Sequence, residues 1–203
     1  MPSPVGHALA GAAIAWSLDR RGETGFDGTP MSSLSGAERS QPGAQVIAWT
    51  CAALAVAPDL DLLGPWPHRT VTHSVLAVAL VAIVSAIVTA RVTGRVHWPV
   101  VLICTAAYGS HLLLDWVSQD TRLPRGVQLL WPFSQRWFIS DWQFFRSTIR
   151  EHIFSTNSMR INMLAVMQEI AILGPIAALA WSVRVKTAAG FPAKLSGRHH
   201  PAQ

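Results

Sequence analysis

The chain has 203 residues, half of them hydrophobic and only 13% charged, with a net charge of +5 at pH 7. An ordinary soluble domain is about a quarter charged, so the low polarity argues against a soluble globule and excludes a disordered or coiled-coil chain. Its 14 arginines and 2 lysines lie scattered between apolar segments with no dense basic run; that suits membrane-flanking loops, and direct nucleic-acid binding is not expected.

Residues 2–18 are apolar and lack the basic leader of a signal peptide, so they are expected to stay in the mature protein. Residues 19–45, rich in Gly, Ser and charge, read as a mobile loop. The apolar run 40–58 shares with the first a continuous apolar centre of only about 11 to 12 residues, which suits a short, tilted or re-entrant helix. Residues 74–90 form the clearest span: 17 residues without a charge, about 26 Å of helix against roughly 30 Å of hydrocarbon. Residues 96–114 are uncharged unless His97 or His111 is protonated, and 161–183 carry one charge, Glu169; both predict spans. Buried core helices of a soluble protein are the alternative, but five such runs leave too little polar surface to cover them.

Residues 118–160 hold Trp131, Trp137 and Trp142 with six arginines. Within them Trp142, Phe145, Ile149 and Ile153 recur at helical spacing beside Arg146 and Arg150, which predicts an amphipathic helix, lying in the bilayer interface or packed on the protein. Residues 186–203 read as a disordered basic tail. Cys51 and Cys104 sit inside apolar runs and read as small buried hydrophobes. The expected fold is all-α, an integral membrane bundle of about five short helices with an interfacial helix, in one domain over 1–185.

The chemistry concentrates in four strings: Gly6-His7, Pro58-Asp59-Leu60-Asp61, the run from His68 and Arg69 to His73 and Ser74, and the run from His111 to Asp115. Taken singly, a histidine on an apolar face is more often a hydrogen-bonded core residue than a ligand. The i,i+4 pair His111/Asp115 puts an imidazole and a carboxylate on one helix face, able to share a metal or to bond each other. If the segments cross alternately, His7 begins the first, Asp59 and Asp61 end the second, His73 begins the third, and His111 and Asp115 end the fourth. All then arrive at one membrane face, where ionisable groups need a reason to be. Glu169, about two turns into the last span, reads as a neighbour of that cluster or as a paired interhelical carboxylate.

Imidazoles and carboxylates without a thiolate suit zinc, one or two ions, with Mn²⁺ or Fe²⁺ as alternatives. A catalytic zinc makes hydroxide available near neutral pH, so hydrolysis is the natural reaction class. The candidate ligands are His7, Asp59, Asp61, His68, His73, His111 and Asp115. Whichever of Asp59 and Asp61 is not coordinated would take or relay the proton. Arg69 would offset phosphate charge, or else snorkel at the interface. Expected partners are membrane lipid and an amphiphilic phosphoester substrate. The rival is a non-catalytic membrane protein whose cluster holds a structural metal or polar network, with the 118–160 segment binding a protein partner.

These strings in this order, followed by the run from Gly126 to Phe133 (GVQLLWPF), resemble the YdjM-like family of LexA-binding, inner-membrane-associated proteins assigned as metal-dependent hydrolases. The resemblance covers most of 1–185 outside the 19–45 loop, and it implies a hydrolase of the inner membrane without naming a substrate. More distantly the set is similar to the zinc-dependent phospholipase C and single-strand nuclease superfamily. That likeness implies one metal site from Asp59 or Asp61 with His73, His111 and Asp115, and a second drawing on His7 and a bridging Asp115. The chain departs from the superfamily by placing Ala165 four residues before Glu169, where a His-xxx-Glu pair would stand. It also lacks a signal for the processing that frees a ligating amine.

Overall fold

The structure, a computed structural model, describes residues 1–18, 42–64 and 67–190. It has five α-helices: α1 (Pro4–Leu18), α2 (Pro42–Val56), α3 (Val75–Thr93), α4 (Trp98–Trp116) and α5 (Thr156–Gly190). A 3₁₀ helix, Ala57–Leu63, continues α2. The described residues form no strand, only the isolated bridges Ser118 with Phe145 and Val127 with Phe138. Four helices are long and apolar enough to cross a membrane, α2 counting together with its 3₁₀ extension, while α1 is apolar but shorter. The all-α membrane bundle expected from the charge-free runs is the fold the chain adopts.

Some boundaries differ from expectation. Residues 42–45 begin α2 and are not loop, and residues 186–190 extend α5 and are not tail. The rest of the expected loop and tail, 19–41 and 191–203, lies outside the described residues.

Helix α1 packs against α2, α4 and α5, whereas α3 packs against α4 alone. Small residues let α1 approach α2: a Cβ on Gly11 would stand 2.4 Å from the Cys51 carbonyl oxygen. That closeness is the usual device of membrane helix pairs, which have no hydrophobic drive to associate and rely on tight contact. Ala15, Ile47, Ala48, Cys51, Ile103 and Ala107 form the core between α1, α2 and α4. Cys104 is buried as well, as expected of a small hydrophobe. Helix α3 is capped by Ser74, whose Oγ accepts from the Ala77 N–H, and ends at Gly94 in the left-handed region (φ 77°). Its Leu80, Ile83, Val84, Ile87 and Val88 are all more than half exposed to the surroundings of the protein, the face that lipid tails cover.

The amphipathic helix expected around 142–153 does not form. The N–H of Phe144 donates to the Val117 carbonyl (3.0 Å), that of Arg146 to Gln168 Oε1 (3.0 Å) and that of Ile149 to Asn162 Oδ1 (2.7 Å). These donors are spent on distant acceptors, so the local i to i−4 ladder is unavailable and tertiary pairing overrides periodicity. The four apolar residues share no buried face: Phe145 is buried, while Trp142 is 68% exposed. Residues 117–155 form an irregular strap tying the end of α4 to the chain start and to α5, with the Thr148 N–H donating to the Met1 carbonyl (3.2 Å).

Candidate metal centre

Asp59 and Asp61 sit on the 3₁₀ helix begun by Pro58. Three residues per turn place positions two apart about 120° from each other, against about 160° in an α-helix, so both carboxylates reach the protein side. Leu60 between them and Leu63 beyond are 60% and 87% exposed. The loop after the 3₁₀ helix folds back around Asp61, whose carboxylate lies 2.6 Å from His68 Nδ1 and accepts from Thr72 Oγ1 (2.8 Å) and the Arg69 N–H (3.2 Å). Arg69 takes a positive φ of 70° to make that return, a conformation unfavourable for a residue with a Cβ and held by its surroundings. His73 follows directly, fixed by the capped start of α3. On α4, His111 Nδ1 lies 2.7 Å from the Ala55 carbonyl. A carbonyl only accepts, so Nδ1 carries the proton and Nε2 presents its lone pair inward.

The inward atoms converge. His73 Nε2 is 3.1 Å from His111 Nε2 and 3.4 Å from Asp115 Oδ2, and His111 Nε2 is 3.3 Å from Asp115 Oδ2. Asp59 Oδ1 is 3.8 Å from both imidazole nitrogens. Ligands about 2.0–2.1 Å from a tetrahedral ion stand about 3.3 Å from one another, so the first three atoms outline one face of such a polyhedron. His7 joins from the other side, its Nε2 3.5 Å from Asp115 Oδ1 and its ring stacked on His111 at 3.7 Å.

Three overlapping groups could hold a metal ion: His7, His111 and Asp115; Asp59, His73 and His111; and Asp61, His68 and His73. Both ring nitrogens of His7 and both oxygens of Asp115 are buried without a hydrogen-bond partner. An ionised carboxylate left so is costly, and a bound cation removes that cost. The donor set therefore fits a metal. Burial alone would lower the His73 pKa, but the carboxylates of Asp115, Asp59 and Asp61 outweigh it and push it up to about 10.

The other expected residues resolve differently. Asp61 is engaged by the loop, and His73 Nδ1 lies 2.9 Å from Thr72 Oγ1, which itself donates to Asp61, and 3.4 Å from that carboxylate. His68 stands at the edge of the cluster, its Nε2 2.8 Å from Arg150 Nη1 and 3.9 Å from Asp59 Oδ1. Arg69 is neither snorkelling nor open: it is buried, pairs with Asp120, and lies over the Trp137 ring at 5.7 Å. Glu169 belongs to none of the three groups. Its carboxylate accepts from the Ser3 N–H (2.7 Å) and the Ser3 hydroxyl at the start of α1. Sequence reasoning missed Arg150, whose Nη2 is 3.4 Å from Asp59; it was read as the polar side of a helix that does not exist. It also missed Tyr108, whose hydroxyl donates to the Thr72 carbonyl (2.7 Å) and braces the loop. Its place one turn before His111 was the available signal.

Comparison with known protein families matches residues 1–189 to the YdjM inner membrane protein family. No curated protein and no solved structure matches the chain.

Proposed function

The chain belongs to the YdjM inner membrane protein family and is a multi-pass protein of that membrane; on this premise we propose that it is a metal-dependent hydrolase acting on a phosphoester in a lipid or amphiphile. The observation that carries the reading is the convergence of His73 Nε2, His111 Nε2 and Asp115 Oδ2 within 3.1–3.4 Å of one another, with a buried carboxylate otherwise unpartnered.

His73, His111 and Asp115 would hold the metal, and a nitrogen-and-oxygen donor set favours zinc over magnesium or calcium. Zinc held there would supply Lewis acidity and a water acidified toward a pKa of about 7. The residues around it have separable tasks. Asp59, set back at 3.8 Å from both imidazole nitrogens, is placed to accept a proton at its carboxylate. Asp61, through the Thr72 hydroxyl, and the Ala55 carbonyl hold His73 and His111 in orientation from behind. His7 and Asp115 Oδ1 offer part of a second position. Exposed Leu60 and Leu62, alternating with the carboxylates, support an amphiphilic substrate over a freely soluble one.

The test is elemental analysis of detergent-purified protein, wild type beside His111→Ala and Asp115→Ala, with phosphodiester and lipid substrates assayed on the same samples. Stoichiometric transition metal in the wild type, lost in both variants together with hydrolysis, is the expected result. Unchanged metal occupancy in the variants removes the ligand assignment. A bound metal with no exchangeable water and no turnover removes the enzyme.

A further inference from the structure

Beside the Asp59 corner lies a cleft lined by His68, Arg69, Arg122, Arg150, Ser147 and Thr148, with Asp120 the one carboxylate in its wall. Three guanidiniums thus face one acidic side chain. Arg69 and Asp120 neutralise each other, and the buried Arg69 Nε still has no hydrogen-bond partner. The Arg122 contact with Glu151, at 3.3 Å, is between side chains 42% and 77% exposed; solvent screens such a pair, which leaves Arg122 available. Arg150 bridges inward, with Nη1 2.8 Å from His68 Nε2 and Nη2 3.4 Å from Asp59. The cleft and the cluster therefore share a wall.

We propose that this cleft is a phosphate subsite, which holds a phosphate group of a phosphorylated amphiphile against the Asp59 side of the His/Asp cluster. The solvent-screened Arg122, the unpartnered Arg69 Nε–H and the cleft side of Arg150, whose Nη2 alone reaches Asp59, supply charge-assisted donors for the acceptor oxygens of a phosphate group. Arg150 is the specificity-determining residue, because it alone among the three arginines touches both the cleft and Asp59. The inference rests on the hydrolase reading only in taking the bound group as substrate; the subsite itself stands on the arginines.

Calorimetric titration of the full chain in detergent tests it, with inorganic phosphate and with micelles of phosphatidic acid or of phosphatidylcholine alone. Wild type, Arg150→Gln and Arg122→Gln are compared, each metal-replete and chelator-treated. Saturable phosphate binding is expected to survive chelation and to weaken about tenfold or more in each variant, the loss of a charge-assisted bond. Tighter binding of phosphatidic acid than of phosphate identifies a lipid headgroup as the source, and equal binding identifies free phosphate. Phosphate binding that is absent, unchanged in both variants, or abolished by chelation overturns the subsite. Should Arg150→Gln fail to fold, the half-exposed Arg122 carries the comparison. Arginine-dependent phosphate binding without hydrolysis defeats the enzyme and spares the subsite, and hydrolysis with no such binding does the reverse.

Discussion

A methyl group added at residue 11 tests whether helix packing and the His/Asp cluster form one unit. The Cβ of Gly11→Ala would lie 2.4 Å from the Cys51 carbonyl oxygen and 2.7 Å from Ala55 Cβ, neither of them the tip of a flexible side chain. Ordinary contact begins near 3.4 Å, so α2 must retreat by about 1 Å. Overpacking of that kind costs about 1–3 kcal/mol, or roughly 2–12 °C in Tm for a chain of this size. The same movement carries away the Ala55 carbonyl that orients His111 from 2.7 Å, and the 3₁₀ helix bearing Asp59. Loss of such an orienting contact weakens metal binding by about 10–100-fold. Thermal unfolding in detergent and competition against a metal chelator read the two effects together. Gly109→Ala is the control: its Cβ would meet only Val78 Cγ1, at 3.9 Å, and both readings should stay near wild type. A Gly11→Ala protein that melts and binds metal like the wild type refutes the coupling.

Three further outcomes follow from the same geometry. Asp61→Asn keeps the shape but loses one accepting oxygen among His68, Thr72 and Arg69; metal affinity should fall about 10–100-fold with full stoichiometry at saturation, whereas complete loss would make Asp61 a ligand. His73 is raised from 6.5 to about 10 in the metal-free protein, so below that pH an incoming metal must displace its proton. Apparent affinity measured in metal buffers should therefore climb about tenfold per unit between about pH 6 and 8, and a flat profile would contradict the protonated imidazole. Glu169→Ala strips the Ser3 N–H and hydroxyl of their buried acceptor; stability should drop by about 1–3 kcal/mol with metal content intact, and a protein that loses its metal but not its stability would place Glu169 in the centre.

The three strongest spans were legible because a charge-free run of sufficient length has few alternatives, and Ser74 and Gly94 punctuate α3 in the sequence itself. The cluster was legible through threading: four strings at the ends of alternating segments have to meet if the segments cross in turn. Local pattern could not choose between Asp59 and Asp61, since their roles diverge only through partners, Thr72 and His68 for one and Arg150 for the other. The helix expected around Trp142 failed for the same reason at larger scale. Gln168 and Asn162, some 13 to 22 residues downstream, capture the N–H groups of Ile149 and Arg146, and no local periodicity reports such competitors. Arg69 likewise looked available until the fold brought Asp120 to it across 51 residues.

Among the described helices α3 packs against α4 alone, with most of its surface left to lipid, yet a single residue, Ser74, separates it from His73. Its 19 residues span about 28 Å, so a thicker or thinner acyl layer will tilt this helix before any other. Acyl-chain length thereby becomes a mechanical input to one imidazole of the cluster, and protein reconstituted in short-chain and long-chain bilayers would hold its His73 differently with no change of sequence, metal or pH.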